Sequence, residues 1–376
     1  MVRMARLNTD TPPRPLVVNG RALPVVGHLR AYVCGITPYD VTHLGHAATY
    51  VWTDTAVRIL AAEGTPVTLA RNVTDVDEAL FAEAVRRGEH YDEFAAMQKF
   101  SFDRTMSALR VRTPSFEPSA RHSVHRVIEL VQALVDHEQA YVVDGNVFGR
   151  TARSADGRDR EEALELSRQF GDQPDDDRKE DPFDVRIWQK TAANDISWPS
   201  PWGPGRPGWH AECAAMVLAT FGSGIDLHAG GADLAFPHHA CESILAESVT
   251  GVTPFARAWM QVGTVRIGGA KMAKSSGNLV LVDDLLRDHS AAAVRLLCLS
   301  RHWNDAWEYS AAALDEAEAS LDALFQAAAR SGGSLSAAEQ VQEVLLADLD
   351  VPAALALALD EGSFAARHLL DVLALS

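Results

Sequence analysis

The sequence lacks the uninterrupted apolar stretch of about 18 residues that a membrane-spanning helix requires. Its first residues, MVRMARLNTDTPPRP, are polar and carry no apolar segment of the kind found in a secretory signal. Cysteine is also scarce, because 376 residues contain only Cys34, Cys213, Cys241 and Cys298, too few for a disulfide framework. We therefore expect a cytoplasmic protein, free of the membrane, whose cysteines serve metal binding or catalysis.

Positive charge is in short supply as well. The chain has 34 Lys and Arg against 51 Asp and Glu, a formal net charge of −17. Residues 311–376 contain Arg330 and Arg367, no lysine, and eleven Asp or Glu. This surface should repel RNA, because each phosphate contact needs a cation.

The pattern of apolar residues predicts an α/β protein. Residues 29–37 and 65–75 are rich in β-formers, and the segment between them has helical spacing that ends near Gly64. A strand–helix–strand unit of this length predicts a parallel sheet. Other segments are predicted as a helix (122–139), a hairpin turning at Asp144-Gly145, a charged loop region (152–182), a long ordered loop (197–209) and helices beyond about residue 290.

Two short motifs point to a polyphosphate ligand. His43-Leu44-Gly45-His46 precedes a helix, where Gly45 permits close backbone approach and the helix N-terminus attracts anions. KMAKS, residues 271–275, places two lysines after a strand and a glycine turn, where they can stabilise a leaving pyrophosphate. Each motif alone is as readily a surface turn; their occurrence together in this order favours a nucleotide site.

A third set of residues has the donors of a metal site. Cys34, Cys213, His238 and Glu242 offer two sulfurs, a nitrogen and an oxygen, a mixture that zinc accepts. His238 and Glu242 are four residues apart and share a helix face. Cys241 lies three residues after His238 on that same face, so it is the alternative fourth ligand.

These stretches together resemble a known family. YVCGITPYDVTHLGHAATY, NVTDVDE, GRPGWHAECAAM, GGADLAFPHHACE and KMAKSSGN, in order over about residues 30–310, resemble the cysteinyl-tRNA synthetase family of class I synthetases. Within it, the closer resemblance is to the branch that joins cysteine to the amine of glucosaminyl-inositol in mycothiol biosynthesis. The signature loop has Ala273 where serine is usual.

The resemblance implies a fold. The implied fold is a Rossmann-like class I synthetase catalytic domain with an inserted subdomain and a C-terminal α-helical domain. The implied boundaries are 1–115 for the first half of the catalytic domain, 116–205 for the insertion, 206–290 for the second half with the KMAKS loop, and 291–376 for the stem-contact region and helical domain.

The resemblance also implies roles for matching positions, with Zn²⁺ as cofactor and ATP, with Mg²⁺, as substrate. Zinc would be held by Cys34, Cys213, His238 and Glu242 and would take the substrate thiol as thiolate. The amino-acid pocket would be lined by Gly35, Thr37, Thr74 and Trp209. ATP would be bound by His43, His46, Gly231, Asp233, Val265 and Lys274, and the catalytic residues would be His43, His46, Lys271 and Lys274.

Such a zinc site explains selection for cysteine. Cysteine and serine differ by one atom, and an apolar pocket separates isosteres poorly. A soft thiolate binds zinc far better than a hydroxyl does at neutral pH. The site therefore needs no editing domain.

The acceptor of the cysteinyl group stays open at this point. The chain stops at Ser376, near the end of the helical domain, so we expect no anticodon-binding domain, and we expect a small amine acceptor rather than tRNA. The alternatives are a cysteinyl-tRNA synthetase without that domain, or a paralogue that cysteinylates another amine or a carrier. A nucleotidyltransferase of another kind is disfavoured by the metal ligands. We expect a monomer or weak oligomer.

Overall fold

A computed structural model of the chain describes residues 13–23, 25, 27–39, 41–192, 195–272 and 277–376. Its strands are β1 (Val17–Val18), β2 (Arg21–Ala22), β3 (Leu29–Ile36), β4 (Val67–Val73), β5 (Ala140–Val143), β6 (Asn146–Gly149), β7 (Val185–Lys190), β8 (Gly205–Pro207), β9 (Ile225–Gly231), β10 (Ala256–Val262), β11 (Val265–Ile267), β12 (Ala270–Lys271) and β13 (Trp307–Glu308). Its α-helices are α1 (Leu44–Ala62), α2 (Glu78–Arg87), α3 (Tyr91–Ala108), α4 (Ala120–Asp136), α5 (Arg160–Gln169), α6 (Trp209–Phe221), α7 (Ala240–Thr250), α8 (Val282–Asp288), α9 (Ala291–Leu299), α10 (Ala311–Ala329), α11 (Leu335–Leu346), α12 (Val351–Glu361) and α13 (Ser363–Val372). No helix within these described ranges is long and apolar enough to cross a bilayer.

A parallel sheet of strand order β10–β9–β3–β4 confirms the predicted α/β class. The inner strands β3 and β9 are buried along nearly their whole length, as a parallel sheet covered on both faces requires. Ligands bind such sheets beyond the carboxyl ends of the strands. Here Ile36, Gly231 and Val262 mark that edge.

An antiparallel sheet of order β5–β6–β7–β8 is inserted between β4 and β9. Asp144 and Gly145 join β5 to β6 with φ of 51° and 81°, the positive values that a two-residue type I′ turn needs. The predicted hairpin is therefore confirmed. The boundary placed after residue 205 falls inside β8, which pairs with β7; the domain boundaries stay predictions.

The prediction of loop throughout residues 152–182 was wrong, because α5 lies within it. The side chain of Asp159 accepts hydrogen bonds from the N–H groups of Glu161 and Glu162 at the start of this helix, and Arg168 is in its last turn. These are ordinary helix signals that the high charge of the segment obscured. The predicted loop 197–209 likewise contains the short strand β8 and the first residue of α6.

The chain beyond residue 290 is helical, as predicted, apart from β13. These helices pack on the parallel sheet through α1. Arg295 is fully buried, and its guanidinium donates to Asp54 of α1 at 2.9 Å and to the carbonyl oxygens of Leu109 and Leu373. The helical region is thus tied to the helix that begins beside the predicted nucleotide site.

Candidate active site

A cleft of about 340 Å³ opens beyond the carboxyl ends of β3 and β9. It is bordered by the β3–α1 connection, the end of β9 and the start of β11. The structure brings most of the predicted substrate and ATP residues to its wall, namely Gly35, Thr37, His43, His46, Gly231, Asp233, Val265 and Lys271, together with Cys34. Lys274 lies outside the described residues.

The two histidines form the start of α1. His43 is the N-cap; its Nδ1 accepts from the N–H of Gly45 at 3.1 Å, and its own N–H donates to Nδ1 of His46 at 3.5 Å. The rings stack with centroids 3.7 Å apart, and a Cβ on Gly45 would lie only 3.0 Å from the His43 ring. Burial, followed by repulsion from His43, lowers the pKa of His46 to about 3. The ring of His46 is therefore neutral at pH 7.

The segment after the KMAKS loop is hydrogen-bonded to this turn. The N–H of Leu44 donates to the carbonyl of Val280 at 2.9 Å, and the N–H of Val282 donates to the carbonyl of Thr42 at 3.1 Å. On the near side of the loop, Nζ of Lys271 lies 2.5 Å from Oδ2 of Asp233. The two polyphosphate motifs, far apart in sequence, therefore meet in one cleft.

Asn72 connects the end of β3 to the cysteines. Its Oδ1 accepts from the N–H of Gly35 at 2.7 Å, and its Nδ2 donates to Thr74 Oγ1 at 3.1 Å and lies 3.6 Å from the sulfur of Cys213. A Cβ at Gly35 would be 1.5 Å from the backbone oxygen of Asn72, so only glycine fits. The pairing of β3 with β4 shifts register between Val33 and Ile36, the segment that contains Cys34.

Two groups of buried potential ligands share Cys34. In the first, one ligand atom each of Cys34, Cys213 and His238 lie within 4.8 Å of one another. In the second, the same holds for Cys34 and, from β9 and the following turn and helix, His228, His239 and Glu242. Glu242 therefore joins Cys34, while its carboxylate also lies 3.1 Å from Nε2 of His228. Cys241 belongs to neither group among the described residues and interacts with Ser154 and Thr151.

The neutral histidines of these groups suit a metal ion, and the cysteine thiols must lose their protons to bind one. The hydrogen bond with Cys34, together with burial, raises the pKa of the Cys213 thiol well above its usual value. Burial lowers the pKa values of His238 and His239, so both rings are neutral and each has a nitrogen lone pair that can bind a metal. Among the described residues, Nε2 of His238 and both ring nitrogens of His239 are buried without a hydrogen-bond partner. A metal ion satisfies such atoms and deprotonates the thiols.

Trp209 and Thr74 occupy positions next to the cysteine cluster. Thr74 is buried against Asn72, and the Trp209 ring stacks on His238 with centroids 4.0 Å apart and on Phe170 at 6.1 Å. Their predicted role in the amino-acid pocket stays a prediction.

Sequence reasoning missed several residues of the site. His228, His239 and Asn72 lie inside quoted stretches or beside them, and the density of histidine there was an available signal. His210 is hydrogen-bonded to His238, and Asp172 is hydrogen-bonded to His210. Asp172 had no sequence signal because it lies in the region predicted as a solvated loop.

A family profile described as "tRNA synthetases class I (C) catalytic domain" matches residues 24–319. The L-cysteine:1D-myo-inositol 2-amino-2-deoxy-alpha-D-glucopyranoside ligase of Mycolicibacterium vanbaalenii is 43% identical over 337 residues, which cover 86% of this chain and 79% of that protein. The protein of the same name from Streptosporangium roseum is 39% identical over 339 residues, which cover 87% and 82%.

The fold is similar to that of solved synthetases. Mycobacterium tuberculosis methionyl-tRNA synthetase bound by methionyl-adenylate superposes with a TM-score of 0.64 and 17% identity, over 92% of this chain and 84% of that one. At this identity the likeness shows the fold alone.

Proposed function

Because this chain belongs to the family of class I tRNA synthetase (C) catalytic domains, we propose that it is an ATP-dependent ligase joining L-cysteine to glucosaminyl-inositol. The observation that carries the proposal is the buried Cys34–Cys213–His238 group beside a cleft lined by His43, His46 and Lys271. The group that would select the substrate thiol thus lies next to the proposed polyphosphate site. The names of relatives about 40% identical over most of their length support the acceptor.

We propose zinc as the metal, which Cys34, Cys213 and His238 would hold. Glu242, which groups with Cys34 but not with Cys213 and His238, would be the fourth protein ligand. Two sulfurs and an imidazole form a donor set typical of zinc. When bound, zinc supplies a soft Lewis acid that prefers the thiolate of cysteine to the hydroxyl of serine. Asn72 orients the Cys213 sulfur and the Gly35 N–H at the same time.

Activation takes place in the neighbouring cleft. A carboxylate oxygen of cysteine bonds to the α-phosphorus of ATP as the bond from that phosphorus to pyrophosphate breaks. Mg²⁺, when bound, would neutralise charge on the leaving pyrophosphate. His43 and His46 contact the phosphates, Lys271 and Lys274 stabilise the charge that develops, and Gly231, Asp233 and Val265 hold the adenosine. The acceptor amine then attacks the acyl carbon, AMP leaves, and the amine loses a proton.

The C-terminal helices support a small acceptor over tRNA. Arg330 donates to the carbonyls of Leu359 and Asp360, and Arg367 donates to those of Ala328 and Arg330. Both arginines of residues 311–376 therefore donate hydrogen bonds to carbonyls at helix ends, and the same segment has an excess of acidic residues. We propose a cytoplasmic location, where ATP and reduced cysteine are both present.

A competition among acceptors tests the proposal. Purified protein is supplied with ATP and cysteine and offered glucosaminyl-inositol or tRNA, and product mass is measured. We expect the cysteinyl amide of glucosaminyl-inositol and no cysteinyl-tRNA. If only tRNA were cysteinylated, the acceptor would be tRNA and not glucosaminyl-inositol. Absence of cysteine-dependent ATP–pyrophosphate exchange would refute the ligase activity itself.

A further inference from the structure

A chain of three side chains runs from the inserted region to the cysteine cluster. Oδ1 of Asp172, in the loop after α5, lies 2.8 Å from Nε2 of His210, and Nδ1 of His210 lies 2.8 Å from Nδ1 of His238. His210 and His238 are 2% and 1% exposed, so water does not compete for the bond between the two rings, whereas the Asp172 side chain keeps 11% of its surface exposed.

With both imidazoles neutral, the donors and acceptors of this chain have one consistent order. The carboxylate of Asp172 only accepts, so His210 carries its proton on Nε2 and presents a bare Nδ1. His238 then donates its Nδ1 proton to His210. Its Nε2 keeps the lone pair, and this is the buried nitrogen without a hydrogen-bond partner among the described residues.

We propose that Asp172 and His210 are positioning residues that hold His238 in the tautomer and orientation needed for metal binding. The proposal rests on the proposed metal site and adds to it a carboxylate from the insertion. Partners behind a histidine ligand commonly fix its ring in this way.

The same loop also fixes the plane of the His238 ring. Phe170, two residues before Asp172, stacks on Trp209, whose ring lies parallel to His238 at 14°. The loop itself is anchored, because Nζ of Lys179 donates to the carbonyl of Asp172 and the N–H of Asp172 donates to the carbonyl of Ser167. The insertion therefore supports His238 in two ways, through the hydrogen bond with His210 and through the ring stacked on the face of the imidazole.

Metal affinity tests the proposal without reference to activity. The zinc dissociation constant is measured by competition with a chromophoric chelator for the wild type, Asp172→Ala and Asp172→Asn. We expect Asp172→Ala to weaken zinc binding about 10- to 100-fold. Asp172→Asn keeps an oxygen acceptor for His210 and should retain most of the affinity. Asp177→Ala, an exposed position of the same loop, is the matched control and should match the wild type.

A double-mutant cycle separates positioning from general damage to the fold. If Asp172 acts through His210, Asp172→Ala added to His210→Phe weakens zinc binding no further. Unchanged affinity in Asp172→Ala, or an equal loss in both backgrounds, would overturn the proposal. A wild-type protein that binds no zinc would instead refute the metal site of the proposed function, and the positioning role with it.

Discussion

At the scale of single residues, Gly35 is a position of the site where a side chain does not fit. Its missing side chain lets β3 pass the backbone of Asn72, whose amide in turn holds Gly35 and approaches Cys213. We expect Gly35→Ala to lower the free energy of unfolding by about 1–3 kcal/mol, because the backbone must move. Denaturant unfolding measures this, and Gly224→Ala, where a Cβ meets nothing closer than 3.4 Å, is the control. Equal stability of both variants would contradict the close approach.

His46 gives the protein a defined dependence on pH. The unfolded chain protonates this histidine near pH 6.5, whereas the folded protein does so near pH 3. The unfolded state therefore binds more protons between these values, and stability falls as the pH drops through that window. In His46→Gln, which keeps a capping acceptor, the fall should be shallower by up to about 1.4 kcal/mol per pH unit.

Unfolding by urea at several pH values between 7 and 4 checks this prediction. His125→Gln, at an exposed position on α4, is the control and should follow the wild type. Parallel curves for His46→Gln and the wild type would show that His46 does not carry the shift.

Two adjacent residues of α7, Cys241 and Glu242, are the candidates for the fourth ligand of the proposed metal. Glu242 lies with Cys34 in a buried group, whereas the Cys241 side chain interacts with Ser154 and Thr151. We expect Glu242→Gln to weaken zinc binding and Cys241→Ala to leave it unchanged. Metal content after dialysis measures both, with Cys213→Ala as the variant that loses the ion; loss of zinc in Cys241→Ala alone would assign Cys241.

At the scale of elements, the contact between the α1 turn and the start of α8 joins the two polyphosphate motifs. Val282 is the first residue of α8, where proline is tolerated, and Leu281 before it is extended. We expect Val282→Pro to keep the helix, remove the hydrogen bond to Thr42, and slow ATP–pyrophosphate exchange while zinc content stays normal. Leu335→Pro, at the same position of the distant helix α11, is the control; equal exchange rates would show that the contact is dispensable.

The elements differ in how far the sequence predicts them. β3, α1 and the 144–145 turn follow from local signals that the tertiary structure does not override. α5 was missed because charge suggested solvation, although most of its residues are good helix formers. The contact between the Asp172 carboxylate and His210 depends on where α5 ends and on which face of the insertion packs against His210. No local sequence pattern encodes that contact. The same limit applies to His228, whose partner Glu242 lies across a turn.

At the scale of the whole molecule, the acidic C-terminal helices determine which macromolecules approach. Both arginines there are bonded to helix carbonyls, so few cations remain for phosphates. We expect tRNA to bind with a dissociation constant no tighter than about 10⁻⁴ M at physiological salt. Fluorescence anisotropy with labelled tRNA measures this at several salt concentrations. Micromolar binding that weakens steeply with salt would contradict it.

The strand order has a consequence for synthesis on the ribosome. One edge of β3 pairs with β4, which is synthesised soon after it. The other edge of β3 pairs with β9, which is synthesised only after the whole insertion. Until then the nascent chain carries an open strand edge, a template for wrong pairing. Cys34 on that strand is likewise translated long before Cys213 and His238. The proposed metal therefore cannot protect its thiol during elongation, and premature release of the chain is expected to leave a fragment prone to both oxidation and aggregation.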